Sequence, residues 1–174
     1  MNETDTPQTA GLITDEPGEF VLALIAGRRL LGLDLGTKTI GLAISDVTRT
    51  IASPLEIVKR KKFTIDAEIL LARIAEHQVC GLVLGLPRNL DGSEGPRAQS
   101  SRAFARNIAR LCMCPVLLWD ERLTTVAAER VLIEADQSRR RRKQVIDKLA
   151  ANLILQTSMD RMKAFDNVSD DRGD

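Results

Sequence analysis

"LLGLDLGTKTIGLAISD", residues 30–46, decides the fold class. Two apolar runs flank a Gly36-Thr37-Lys38 turn signal, so Arg29–Leu35 and Thr39–Ser45 are expected to pair as a β-hairpin. One acid, Asp34, interrupts the first run. An apolar interior disfavours a carboxylate unless something pairs with it or coordinates it. The local alternative is a turn residue that bonds the backbone amides of Gly36–Lys38.

Outward from the hairpin, Ser45 and Asp46 enter a polar turn, and Leu55–Val58 supplies a third short strand after Pro54. Ile65, Ile69, Leu70, Ile74 and Ala75 then recur at helical spacing from Thr64 to about His77. Val79–Leu84 reads as a buried strand. A long loop dense in turn formers, ending at Pro96, leads into a helix to about Leu111. Pro115–Trp119 is another buried strand, ending in Asp120-Glu121-Arg122. Thr124 or Thr125 can cap the next helix, and a last helix is expected from about Gln144 to Met162. The order β-β-β-α-β-α-β-α-α describes an α/β domain, a mixed five-stranded sheet flanked by helices.

The chain has 174 residues, room for one domain with a real core. Aromatic residues make up only 3%, which argues against base-stacking platforms. Residues 1–20 are acidic, contain no Lys or Arg and have no apolar core of signal length, so no signal peptide is expected. No apolar run has the length of a membrane span. Three cysteines, Cys80, Cys112 and Cys114, lie in apolar surroundings without zinc-ligand spacing, and fit buried reduced thiols in a cytoplasmic protein.

Charge is uneven along the chain. Residues 1–20 carry −5 and residues 160–174 carry −2, which leaves +8 on residues 21–159 of a chain whose net charge is +1. A basic body between acidic ends suits a polyanionic partner such as nucleic acid. Residues 1 to about 27 read as an acidic tail, within which Phe20–Ala26 forms a helix or strand able to pack on the body. Residues 161–174 read as a second acidic tail.

Three acidic positions fall where an α/β sheet gathers function, at the carboxyl ends of its strands. Asp34 is near the end of the first strand, Asp120 and Glu121 follow the last, and Asp147 lies early in the final helix beside Ala150 and Ala151. Each also has a plain structural reading. Asp120 or Glu121 can pair with Arg122 or Arg130, and Asp147 can favour a helix dipole. Brought together, such acids raise each other's pKa, and a divalent cation relieves the repulsion. Hard oxygen ligands suit Mg²⁺ or Mn²⁺, which can activate water and stabilise a leaving oxygen in phosphodiester hydrolysis.

The run Arg139, Arg140, Arg141, Arg142 and Lys143 immediately precedes Asp147. It is either a solvated connection between helices or a phosphate-binding patch beside the acids. Lys38 in the hairpin turn, and Arg88 and Asn89 in the loop before the helix that starts at Pro96, are further candidate nucleic-acid contacts.

Five segments, "LGLDLGTKTIGLAISD", "ASPLEIV", "LGLPRNLDGSEGPRAQ", "WDERLTTVAAE" and "SRRRRKQVIDKLAANLILQ", together resemble the YqgF/RuvX family, from about Arg29 to about Asp160. The resemblance implies an RNase H-like nuclease domain over residues 28–160. It implies a hydrolase acting in 5′-end processing of pre-16S rRNA, hence ribosome biogenesis, or alternatively resolving Holliday junctions in DNA recombination and repair. It also implies that Asp34, Glu121 (or its neighbour Asp120) and Asp147 are the catalytic, metal-binding acids. Precursor rRNA and branched DNA both remain open as partners, and so do monomer and homodimer, since junction resolution calls for a symmetric pair of sites.

Two other classes compete. "DLGTKT" also resembles the phosphate-binding hairpin of actin-like ATPases, which use two such domains, whereas this chain carries one copy. A non-catalytic nucleic-acid-binding module would be expected to shed buried acids that repel phosphate.

Overall fold

The computed structural model describes residues 11–124 and 139–170, with side chains described up to 124 and from 149 to 166. Strand β1 (Ile13–Thr14) and helix α1 (Pro17–Leu22) precede the hairpin of β2 (Arg29–Leu35) and β3 (Thr39–Ser45). Then follow β4 (Ala52–Lys59), α2 (Phe63–Glu76), β5 (Val79–Leu86), α3 (Pro96–Cys112), β6 (Val116–Asp120) and α4 (Arg139–Asp170). The helix expected from Thr124 or Thr125 lies outside the described residues beyond a helical turn at 122–124.

The sheet has six strands in the order β1-β6-β5-β2-β3-β4, one more than the five expected. The β2-β3-β4 part is an antiparallel meander, while β5, β6 and β1 run parallel to β2. The extra strand is β1, which pairs Ile13 with Val116 and Thr14 with Leu117. Two residues carry too little periodicity to be read as a strand; the exposed edge of β6 provides the pairing.

The tail assignment for residues 1–27 is therefore corrected over 13–22. Phe20 on α1 is fully buried, and a Cβ at Gly81 of β5 would stand 2.8 Å from its ring. The missing side chain at 81 opens a pit in the sheet, and an apolar ring gains by filling it. At the other end, α4 continues to Asp170, so residues 161–170 are helix rather than tail. Met162 extends the buried stripe of Ala151, Ile154, Leu155 and Met159 by one more turn.

Two apolar layers result. Leu31, Leu33 and Leu35 face α2 and α3 on one side of the sheet, and Leu30 faces α1 and α4 on the other. Ser45 ends β3 as a buried hydroxyl that accepts the Leu30 amide at 2.8 Å. Asp46 then organises the turn by accepting the amides of Thr50 (2.8 Å) and Ile51 (3.0 Å). The Thr48 hydroxyl and these amides hold the Asp46 carboxyl down at about 2.

Candidate active site

Strand alternation decides which acids meet. On β2, Leu30, Gly32 and Asp34 share the face toward α4: Leu30 belongs to that layer, and a Cβ at Gly32 would strike Leu155 of α4 at 2.7 Å. On β6, Leu117 and Trp119 share the same face, and Glu121 follows in phase. The ladder reaches it, since the Glu121 amide donates to the Leu86 carbonyl at 3.1 Å. Between them lies β5, where Leu84 pairs with Leu33 and Gly85 with Trp119. Gly85 has no side chain to fill the gap: a Cβ there would stand 2.6 Å from Glu121 Oε1 and 2.7 Å from Ile154 Cδ1. The Glu121 side chain therefore lies over β5, toward Asp34.

Electrostatics bears out the proximity. Burial first, and then the negative charge of Asp34, push the Glu121 carboxyl up to about 7. Arg97, in the first turn of α3, opposes that rise. Asp120 lies in the opposite phase and is engaged elsewhere. It accepts Nη2 of Arg122 at 2.7 Å, Nε at 3.0 Å and the Arg122 amide at 3.0 Å. That guanidinium holds the Asp120 carboxyl below its ordinary value. Of the two neighbours left open by the sequence, Glu121 is the one beside Asp34, and Asp120 is an ion-pair partner.

The third acid sits on α4, which runs against β2. Gln156 of α4 accepts the Ala52 amide at 2.9 Å, at the Ser45 end of the sheet. Ala151 and Leu155, on the N-terminal side of Gln156, lie over Gly32. Continuing toward its N-terminus, α4 carries the backbone of residue 147 about 6 Å further, toward the Asp34 end. The side chains of Asp147 and of Arg139, Arg140, Arg141, Arg142 and Lys143 lie outside the described residues, although their backbone is helical and not an extended connection. Among the described residues no three potential metal ligands gather at one point.

Lys38 is exposed in the hairpin turn, where the Gly36 amide is taken by the Thr39 carbonyl at 2.9 Å. Arg88 and Asn89 occupy the loop between β5 and α3, and each has an internal partner. Arg88 lies 3.5 Å from Asp15 and 3.6 Å from Glu94, and Asn89 donates to Ser93 Oγ at 2.9 Å. Two residues escaped the sequence reading. Gly85 looked like a strand boundary, and only the β5–β6 register reveals it as the floor under Glu121. Arg97 drew no reading from the sequence; its place directly after Pro96, at a helix start that follows a strand end, was the available signal.

The model of the RuvX family, described as Holliday junction resolvase, matches residues 28–161. A protein of Paracoccus denitrificans is 57% identical over 152 residues, covering 87% of this chain and 96% of its own. One of Cereibacter sphaeroides is 58% identical over 151 residues, covering 87% and 94%. Both bear the name "Putative pre-16S rRNA nuclease". Among solved structures, T. thermophilus RuvC in complex with Holliday junction substrate superposes with a TM-score of 0.52 at 15% identity, covering 78% of this chain and 96% of that one. At that identity the likeness is one of fold.

Proposed function

We propose a function from one premise: the chain belongs to the RuvX family. It is a nuclease that hydrolyses phosphodiester bonds of structured nucleic acid, most directly in trimming the 5′ end of pre-16S rRNA in the cytoplasm. The observation that supports the reading is the pair Asp34 and Glu121, two carboxylates on one face at the carboxyl ends of β2 and β6, with only β5 between them. Burial and the charge of Asp34 raise the Glu121 pKa, whereas Arg122 lowers that of its neighbour Asp120.

The donor set fits a divalent cation. Hard carboxylate oxygens of Asp34 and Glu121 face one another where burial and the Asp34 charge oppose ionisation of Glu121, the strain that Mg²⁺ or Mn²⁺ relieves. Asp34, Glu121 and Asp147 would hold it. When bound, such an ion supplies Lewis acidity and lowers the pKa of water at a scissile phosphate. The chain's own contributions are distinct. The apolar neighbours of β2 and β6 hold the two carboxylates rigidly, and Gly85 admits the Glu121 side chain. Arg97 limits the rise of the Glu121 pKa. Lys38, Arg88, Asn89 and the 139–143 run supply phosphate contacts that orient the strand without reading its sequence.

Holliday junction resolution is the second reading, carried by the family's description. The deciding experiment compares cleavage of a 5′-extended precursor rRNA and a four-way DNA junction, with Mg²⁺ or Mn²⁺ at physiological salt. Wild type is set against Asp34→Asn, Glu121→Gln and Asp147→Asn, with solution mass measured alongside. Cleavage of RNA alone by a monomer supports the first reading, and symmetric cutting of the junction by a dimer the second. Equal activity in all four proteins overturns the site.

A further inference from the structure

The charge run Lys59-Arg60-Lys61-Lys62 was absorbed by neither the fold nor the site. It begins at the last residue of the edge strand β4, and the register brings it to the same end of the sheet as the acids. Thr39 pairs with Lys59, and Asp34 pairs with Gly41 on the intervening strand. Arg60 binds this run to the hairpin. Its amide donates to the Lys38 carbonyl at 2.9 Å, and its guanidinium Nη1 donates to the Gly36 carbonyl at 2.6 Å. The next residue is pinned as well: the Lys61 amide donates to both carboxylate oxygens of buried Asp66, at 3.0 and 3.3 Å.

What remains is unneutralised. Lys38, Lys59, Lys61 and Lys62 are exposed, and none has an ion pair among the described residues. The acids nearest in sequence are engaged, Asp66 by the Lys61 amide and Glu56 by Arg73 at 2.7 Å. A solvated charge run has no need of a backbone held by a buried carboxylate and by a guanidinium tied to the hairpin beside Asp34.

We propose that Lys38, Lys59, Lys61 and Lys62 form a phosphate rail that grips the nucleic-acid backbone flanking the cleavage site, on the β4 side. The proposal rests on the nuclease reading. Two strand spacings separate β2 from β4, about 10 Å. At that separation the rail meets phosphates within a few nucleotides of the scissile bond. Arg60 is a positioning residue: it fixes the hairpin and the rail as one unit.

The test is equilibrium binding in EDTA, so that binding is read without cleavage, to a 5′-extended RNA hairpin and to a four-way DNA junction. Affinities are measured from 50 to 200 mM salt. The variants are Lys61→Gln/Lys62→Gln and, as a matched loss of two charges at the exposed C-terminal half of α3, Arg106→Gln/Arg110→Gln. Loss of two phosphate contacts lowers the magnitude of the log–log salt slope by about 1.8 on duplex and about 1.4 on single strands. The Lys variant's deficit on the junction therefore shrinks roughly 12-fold between 50 and 200 mM. The Arg variant should keep the wild-type slope. A change on RNA alone, DNA alone or both assigns the backbone that the rail holds. If wild type binds steeply with salt and the Lys variant matches it, or the Arg variant loses as much, the rail is overturned and the nuclease reading stands. If wild type binds neither probe, both fall.

Discussion

Glu121 lies over Gly85: a Cβ on residue 85 would stand 2.6 Å from the carboxylate oxygen Oε1. A carboxylate from β6 thus reaches across β5 toward Asp34 on β2, which requires both a bare backbone beneath it and a side chain as long as Glu. Gly85→Ala should fold, because the atoms it meets are the ends of flexible side chains, with stability lowered by about 1–3 kcal/mol. Its cleavage rate should fall at least tenfold as Glu121 is displaced. Glu121→Asp, one methylene shorter, should lose activity with little change in melting temperature. Steady-state cleavage and thermal denaturation on the same preparations check both.

The two adjacent acids should separate cleanly. Glu121→Gln is expected to lower the cleavage rate by about 10²–10⁴, the range for a group acting on the reacting atoms. Asp120→Asn removes the charge that pairs with Arg122 and should keep the rate within a few-fold. This partly exposed pair contributes about 1 kcal/mol or less to stability. Rates and urea midpoints measured for both variants test the assignment, and a larger catalytic loss from Asp120→Asn would reverse it.

Stability should depend on pH through Glu121. The carboxyl titrates near 4.5 when unperturbed and at about 7 in the folded protein. Between those values the folded state binds the extra proton, so this group's contribution declines as pH rises from 4.5 through 7. Glu121→Gln should lack that decline. Divalent cation and proton compete for the same oxygens, so Mg²⁺ or Mn²⁺ should raise the wild-type melting temperature more at pH 8 than at pH 5.5. Melting curves across this range, with and without the ion, show whether the competition exists.

Arg97 holds the Glu121 carboxyl down. Arg97→Gln should therefore move the acidic limb of the pH–rate profile upward, and raising the pH should restore the rate. Loss of a phosphate contact alone would lower affinity without displacing that limb. The profile of kcat/KM distinguishes the two.

Phe20 anchors α1 in the pit above Gly81. Phe20→Ala should cost about 3–5 kcal/mol. Removal of residues 11–27 should destabilise the protein by a comparable amount, because Leu30, Cys80 and Leu117 lose their cover. An acidic tail without structure would leave the denaturation midpoint unchanged in both experiments.

The local pattern made most of the fold legible. The hairpin bounds Arg29–Leu35 and Thr39–Ser45 follow from a turn signal between two apolar runs, and α2, β5, α3 and β6 follow from periodicity and Gly or Pro punctuation. Strand β1 and the pit that receives Phe20 were not legible, although Phe20–Ala26 was expected as an element able to pack on the body. A two-residue strand has no period, and one phenylalanine does not announce the pit that receives it.

The same division holds at the site. The sequence by itself determined that Asp34, Asp120 and Glu121 would stand at strand ends, because strand boundaries are local properties. Only the tertiary structure decided between Asp120 and Glu121. That choice depends on the phase of β6 relative to β2, on the register of β5 between them and on the absence of a Cβ at Gly85, three relations among residues distant in the chain. Likewise, only the β3–β4 pairing places Lys59, Lys61 and Lys62 at the same end of the sheet as Asp34. Charge is written in the sequence, but the field it makes at a site depends on which strands lie side by side.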